Sequence, residues 1–136
     1  PRFNDDKFTI PETGTLNLVD DVHAGVLHVL SKYPEAKLIG IGHSYGANGL
    51  VNYLGFHNEH KHFIAGISIA NPYDFTQSSK VIQGTIVEKY LMSGIKDLVK
   101  ASLDTIHQGK ERFKWTLEEI LATKQLREFD DMVVAK

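Results

Sequence analysis

The sequence predicts an α/β fold with parallel strands, and three observations carry that expectation. Leu38 to Leu54, LIGIGHSYGANGLVNYL, reads as a strand, a tight turn and a helix. Phe63 to Ala70 is a second apolar run, rich in β-branched and aromatic residues, and reads as a strand. A helical segment lies between the two runs, so the strands should be parallel with a right-handed crossover. From Ser78 onward the apolar residues follow helical spacing.

The turn in the first stretch is Gly42-His43-Ser44-Tyr45-Gly46, which fits G-x-S-x-G. Leu38, Ile39 and Ile41 precede it as a short apolar run interrupted by glycines, which suits a strand buried on both faces. Leu50, Val51 and Leu54 follow at helical spacing. Strand before and helix after are the setting that a nucleophile elbow requires. Such a turn forces Ser44 into strained backbone geometry, and the flanking glycines should let neighbouring chain approach without Cβ clashes. The Ser44 hydroxyl would then project above the strand's carboxyl end. It would also lie at a helix N-terminus, where amides and the dipole favour a developing oxyanion. The alternative is a glycine-rich β-to-α turn with a structural serine.

Several segments together resemble one branch of the α/β-hydrolases. They are IGHSYGAN at the turn, Ile69-Ala70-Asn71-Pro72-Tyr73-Asp74 after the second strand, and Leu126-Arg127-Glu128-Phe129-Asp130. Pro1-Arg2-Phe3 and Tyr33-Pro34-Glu35-Ala36 also look like that branch. The branch is the abhydrolase-domain group of acylglycerol lipases, phospholipases and carboxylesterases. The resemblance covers most of the chain. It implies a serine hydrolase acting on acyl esters, with lipid-like substrates, no cofactor and no metal. A non-catalytic, hydrolase-derived structural subunit of a larger assembly is the alternative.

Length and composition set bounds beside this. The chain has 136 residues, and 42% hydrophobic with 24% charged residues are globular values. A formal net charge of -2 gives no electrostatic reason to expect nucleic acid as a partner. Without cysteine there is no disulfide framework, thiolate nucleophile or cysteine zinc site. No run approaches the ~18 apolar residues of a transmembrane helix, and no signal peptide is visible. The resemblance nonetheless suggests a membrane-associated protein, through segments not present here. A complete α/β-hydrolase resembles a domain of about 250 residues, near the upper end for a single core. The expectation is therefore a partial α/β-hydrolase fold: the central segment of one domain, completed by the rest of that domain or by neighbouring subunits. Residues 1–77 would be core with the elbow, and 78–136 a helical region resembling the cap over the pocket.

Taken in order, residues 1–15 read as a loop with Pro11 and Gly14. Thr15 or Asn17 could cap a helix running to about Lys32, with Leu18, Val19, Val22, Val26, Val29 and Leu30 as its apolar face. His23 and His28 fall off that stripe and read as exposed. Pro34 ends the helix. The elbow helix should end near Gly55. His57, His60 and His62 in HNEHKH read as a solvated loop, with a metal site as the alternative.

The second strand should end at the same sheet edge as Ser44, where ligands bind in such sheets. That places Asn71 and Asp74, with His43, at the substrate pocket, although capping the next helix is the other role for Asp74. Beyond Ser78, Val81, Ile82, Ile86, Val87, Tyr90, Leu91, Ile95, Leu98, Val99 and Ile106 form the helical pattern, with Gly84 and Gly94 weakening it. These residues could be helix core or, through the resemblance, line an acyl-chain site. Thr116 to Glu119 is a capping box.

Serine needs a base to take its proton. In the α/β-hydrolase order, acid and histidine follow the serine. The resemblance places both after the R-E-F-D segment, hence after Lys136. His107 is the only histidine in the helical region, and Asp130 belongs to a segment whose match is structural. Tyr45 should donate one oxyanion-hole amide, and the second donor would come from an upstream loop. The 136 residues alone are therefore expected to be a poor catalyst.

Overall fold

A computed structural model of the chain describes residues 17–57, 62–108 and 115–133. Its elements are α1 (Val19–Lys32), β1 (Leu38–His43), α2 (Tyr45–Phe56), β2 (Phe63–Ile69), α3 (Phe75–Ile82), α4 (Ile86–Ala101), α5 (Leu103–Gln108), α6 (Leu117–Ala122) and α7 (Leu126–Val133). The segments α1 to β2 form one compact unit, and the chain from Thr76 onward belongs to another.

The first unit is built on a parallel sheet of β1 and β2. Ile39 pairs with Ala65 and the register runs without interruption to His43 with Ile69. Gly40 and Gly42 lie on the face covered by α2, where a Cβ at Gly40 would meet the Leu50 side chain at 2.7 Å. Val19 and Val26 of α1 bury against Tyr53 of α2, with Val22, Leu30, Leu38 and Phe63 packed around them. Asn17 Oδ1 accepts from the Val19 amide at 3.1 Å, satisfying one donor at the start of α1. Thr15 lies outside the described residues.

The apolar strands suit a sheet covered on both faces, and among the described residues only the α2 side is covered. Ile39, Ile41, Ile67 and Ile69 are 57%, 69%, 47% and 46% exposed. Side chains alternate along a strand, so α2 covers the glycine-bearing face and leaves the isoleucine face bare among the described residues. Two strands have only one shared seam, so each keeps an outer edge without a strand partner among those residues.

Several boundaries also differ. Helix α2 runs through Gly55 to Phe56 and closes at His57, whose amide donates to Tyr53 O at 2.8 Å. A helix tolerates one glycine for about 1 kcal/mol. Strand β2 stops at Ile69 because Ala70 turns to a φ of 49°. Val29 of the expected α1 face is exposed, as is Leu27.

In the second unit Gly84, at φ 75°, separates α3 from α4, whereas Gly94 sits inside α4 without breaking it. Met92, Val99, Ile106, Ile120 and Phe129 form the core, with Leu126 and Met132 packed against it. Val81, Ile86, Val87 and Tyr90, which share the apolar pattern, are exposed. Glu88 is buried, and its carboxylate accepts from the amides of Gly84 at 2.7 Å and Leu126 at 3.0 Å. It thereby ties the start of α7 to α4. The capping box at Thr116 and Glu119 forms as expected. No described helix is long and apolar enough to cross a membrane.

Glu128 gives a pH test of this unit. Its carboxylate accepts from the amides of Lys124 at 2.9 Å and Gln125 at 3.3 Å. Those bonds, aided by the nearby Lys124 and Lys96 charges, hold its carboxyl below the ordinary 4.5. A depressed folded value stabilises above the unfolded pKa and is lost as pH falls through the folded one. Glu128→Gln should therefore weaken α7 above pH 5 and remove part of its acid sensitivity below about pH 4.5, read by amide exchange across residues 124–133.

Candidate active site

One residue joins β1 to α2. With β1 ending at His43 and α2 starting at Tyr45, Ser44 alone reverses the chain, at φ 52° and ψ -122°. A non-glycine residue there costs on the order of 1–3 kcal/mol and persists only when its surroundings hold it. Three backbone bonds do so. The Ser44 amide donates to Ile69 O at 2.9 Å, and Ser44 O accepts from the amides of Ala47 at 2.9 Å and Asn48 at 3.3 Å.

The flanking glycines have different jobs. A Cβ on Gly42 would lie 2.5 Å from Ala47 Cα and 2.7 Å from Gly46 O, both backbone atoms. Among the described residues, nothing lies within 4 Å of a Cβ built on Gly46. The expectation that both glycines relieve clashes thus holds for Gly42 and not for Gly46.

Ser44 is exposed at the carboxyl end of the sheet, with exposed His43 before it. Tyr45 opens α2, so the positive end of the helix dipole lies beside Ser44. The Tyr45 ring packs against Phe75 at 5.8 Å between centroids. The Ser44–Ile69 bond brings the segment after β2 to the same edge. There Asn71 donates from Nδ2 to Ser68 Oγ at 3.0 Å, and its buried Oδ1 has no partner among the described residues. Asp74 is exposed and directly precedes α3. The structure therefore gathers His43, Ser44, Tyr45 and Asn71 at one sheet edge, with Asp74 farther along the exit loop.

The histidines form a separate group. His23 was expected to be exposed, and His57 and His62 to lie in a solvated run. Instead the His23 and His57 rings stack at 4.3 Å, and the Tyr53 hydroxyl lies 2.7 Å from His62 Nδ1 and 3.4 Å from His23 Nδ1. Tyr53 is buried, which raises its pKa. His60 falls outside the described residues. His57 follows α2 and His62 precedes β2, so this group sits at the amino end of the sheet. At about 3.3 Å per residue, the length of β2 places it on the order of 20 Å from Ser44. It cannot supply the serine's base. Among the described residues, no group of three or more His, Asp or Glu is placed to hold a metal ion.

Sequence reading gave no role to Asn48 or Ala70, both of which border the turn. Asn48 is buried in α2, donates from Nδ2 to Pro72 O at 3.1 Å and accepts at Oδ1 from Asn52 at 2.7 Å. A polar residue of low helix propensity just inside an apolar helix was the available signal.

The fold and the turn define an α/β protein with a serine-bearing strand–turn–helix at the carboxyl edge of a parallel sheet. Comparison with known proteins adds kinship. Over 120 residues the chain is 26% identical to a monoacylglycerol lipase of Saccharomyces cerevisiae, covering 84% of this chain and 26% of that protein. Over 97 residues it is 25% identical to an abhydrolase domain-containing protein of Dictyostelium discoideum, covering 71% of this chain and 24% of that one. These similarities relate part of the chain to the α/β-hydrolases, and they support a hydrolase- or lipase-like function at the level of the family. The chain spans about a quarter of the length of both relatives. No family model matches it, and no solved structure does.

Proposed function

We propose that the protein carrying this chain is a serine hydrolase of the carboxylesterase or lipase type, with Ser44 as nucleophile. The observation that supports this best is the Ser44 backbone: a serine, not a glycine, held at positive φ between a parallel strand and a helix N-terminus. Ser44 Oγ attacks the acyl carbonyl while a base takes its proton, the alcohol leaves with a proton, and water releases the acid from the acyl-serine. The Tyr45 amide stabilises the oxyanion. The acid, the base and the second oxyanion donor come from chain outside these 136 residues, as does any membrane contact. Acyl esters of lipids are the substrate class, in keeping with the relative named a lipase. His43, Asn71 and Asp74 border the pocket.

The test is ester hydrolysis by the full-length protein. Ser44→Ala should lower turnover by at least about a thousandfold with the fold intact. Unchanged hydrolysis of a short acyl ester would sink this reading and favour a non-catalytic structural subunit.

A further inference from the structure

Ala70 is strained, and two bonds to the turn bracket it. On one side Ile69 O accepts from the Ser44 amide at 2.9 Å, and on the other Pro72 O accepts from Asn48 Nδ2 at 3.1 Å. Between them Ala70 holds φ 49°, a left-handed conformation that residues with a Cβ avoid. Asn48 also donates its own amide to Ser44 O at 3.3 Å. It thus touches the serine through its backbone and the exit loop through its side chain.

The orientation of that side chain is itself held. Asn52 Nδ2 donates to Asn48 Oδ1 at 2.7 Å, which leaves the Asn48 amide nitrogen facing the Pro72 carbonyl. Asn48 is 8% exposed, and a buried amide inside a helix is unfavourable unless such bonds satisfy it.

We propose that Asn48 is a positioning residue: its side chain clamps the loop Ala70–Pro72 onto the turn and thereby fixes where Ser44 sits. The clamp rests on the serine-hydrolase reading for its effect on rate, and on geometry alone for its effect on the loop. Without the Asn48 donor, Ala70 relaxes out of the left-handed region. The Ile69 carbonyl then shifts, and the Ser44 amide loses its acceptor.

Asn48→Asp in the full-length protein tests this. It keeps the side-chain size and turns a carboxylate oxygen toward the Pro72 carbonyl. Labelling of Ser44 by a small fluorophosphonate should slow about tenfold, the cost of one charge-opposed hydrogen bond. The final stoichiometry should stay complete and the pH profile should keep its shape. Adding Ala70→Gly should restore several-fold of the lost rate, because glycine adopts the left-handed conformation without a Cβ penalty and so needs less help from the clamp. Hydrogen exchange over residues 43–48 should quicken in Asn48→Asp, whether or not Ser44 is a nucleophile. A wild-type protein that never labels would overturn the hydrolase reading, and the exchange measurement would still decide the clamp. Unaltered exchange, or a reduced labelled fraction with an unchanged rate constant, would overturn the clamp.

Discussion

Gly42→Ala should destabilise the full-length protein by about 3 kcal/mol or more and abolish ester hydrolysis, even though the position carries no reacting group. The added Cβ would stand 2.5 Å from Ala47 Cα, 2.7 Å from Gly46 O and 2.8 Å from Ala47 N. All three are backbone atoms of the first turn of α2, so no side chain can swing aside. Relief requires α2 to lift from β1, and that stretches the bonds from Ala47 and Asn48 to Ser44 O. Gly46→Ala is the control. Its Cβ meets nothing within 4 Å among the described residues, so the change should cost little and, with the better helix propensity of alanine, leave hydrolysis near wild type. Thermal unfolding and turnover on the two variants check both halves. A tolerated Gly42→Ala would mean that α2 does not sit on β1 as described.

Expressed by themselves, the 136 residues should associate or remain molten. The expectation comes from the bare isoleucine face of the sheet, formed by Ile39, Ile41, Ile67 and Ile69, and from the unpaired strand edges. Each isoleucine kept half in water forgoes on the order of 1 kcal/mol of the stabilisation that full burial provides. Contiguous apolar surface of this kind is seldom left uncovered, and open edges recruit other strands. Size-exclusion chromatography, dye binding and denaturant titration would read the outcome. A monomer that unfolds cooperatively would contradict the expectation and show that this sheet is stable with one face open.

Much of the local architecture was legible because it rests on short-range chemistry. The β1–turn–α2 sequence was readable from GHSYG between segments of different period, and its observed bounds differ by a residue or two. The Thr116–Glu119 box was readable because both partners lie within one helical turn. The misreadings involve choices that local sequence does not fix. Gly55 and Gly94 looked like interruptions, yet helix packing and continued hydrogen bonding outweigh a single glycine. Gly84 does interrupt, because there the chain needs a positive φ.

The turn at Ser44 was legible, and the contacts that hold it were not. A G-x-S-x-G motif announces the turn, while the clamp on Ala70 depends on Asn48 meeting a carbonyl 24 residues away in sequence. His23 was misread for the same reason: its partners Tyr53, His57 and His62 come from later elements. What covers the isoleucine face of the strands was not legible, because apolar composition gives a residue's preference and not its partner.

The most direct measurement is covalent mapping of the nucleophile. The full-length protein is treated with a fluorophosphonate, digested, and the modified peptide sequenced by mass spectrometry. The account predicts one stoichiometric adduct on Ser44, within the peptide that contains GHSYG, and none in Ser44→Ala. An adduct on another serine, or no adduct on a folded protein, would contradict it.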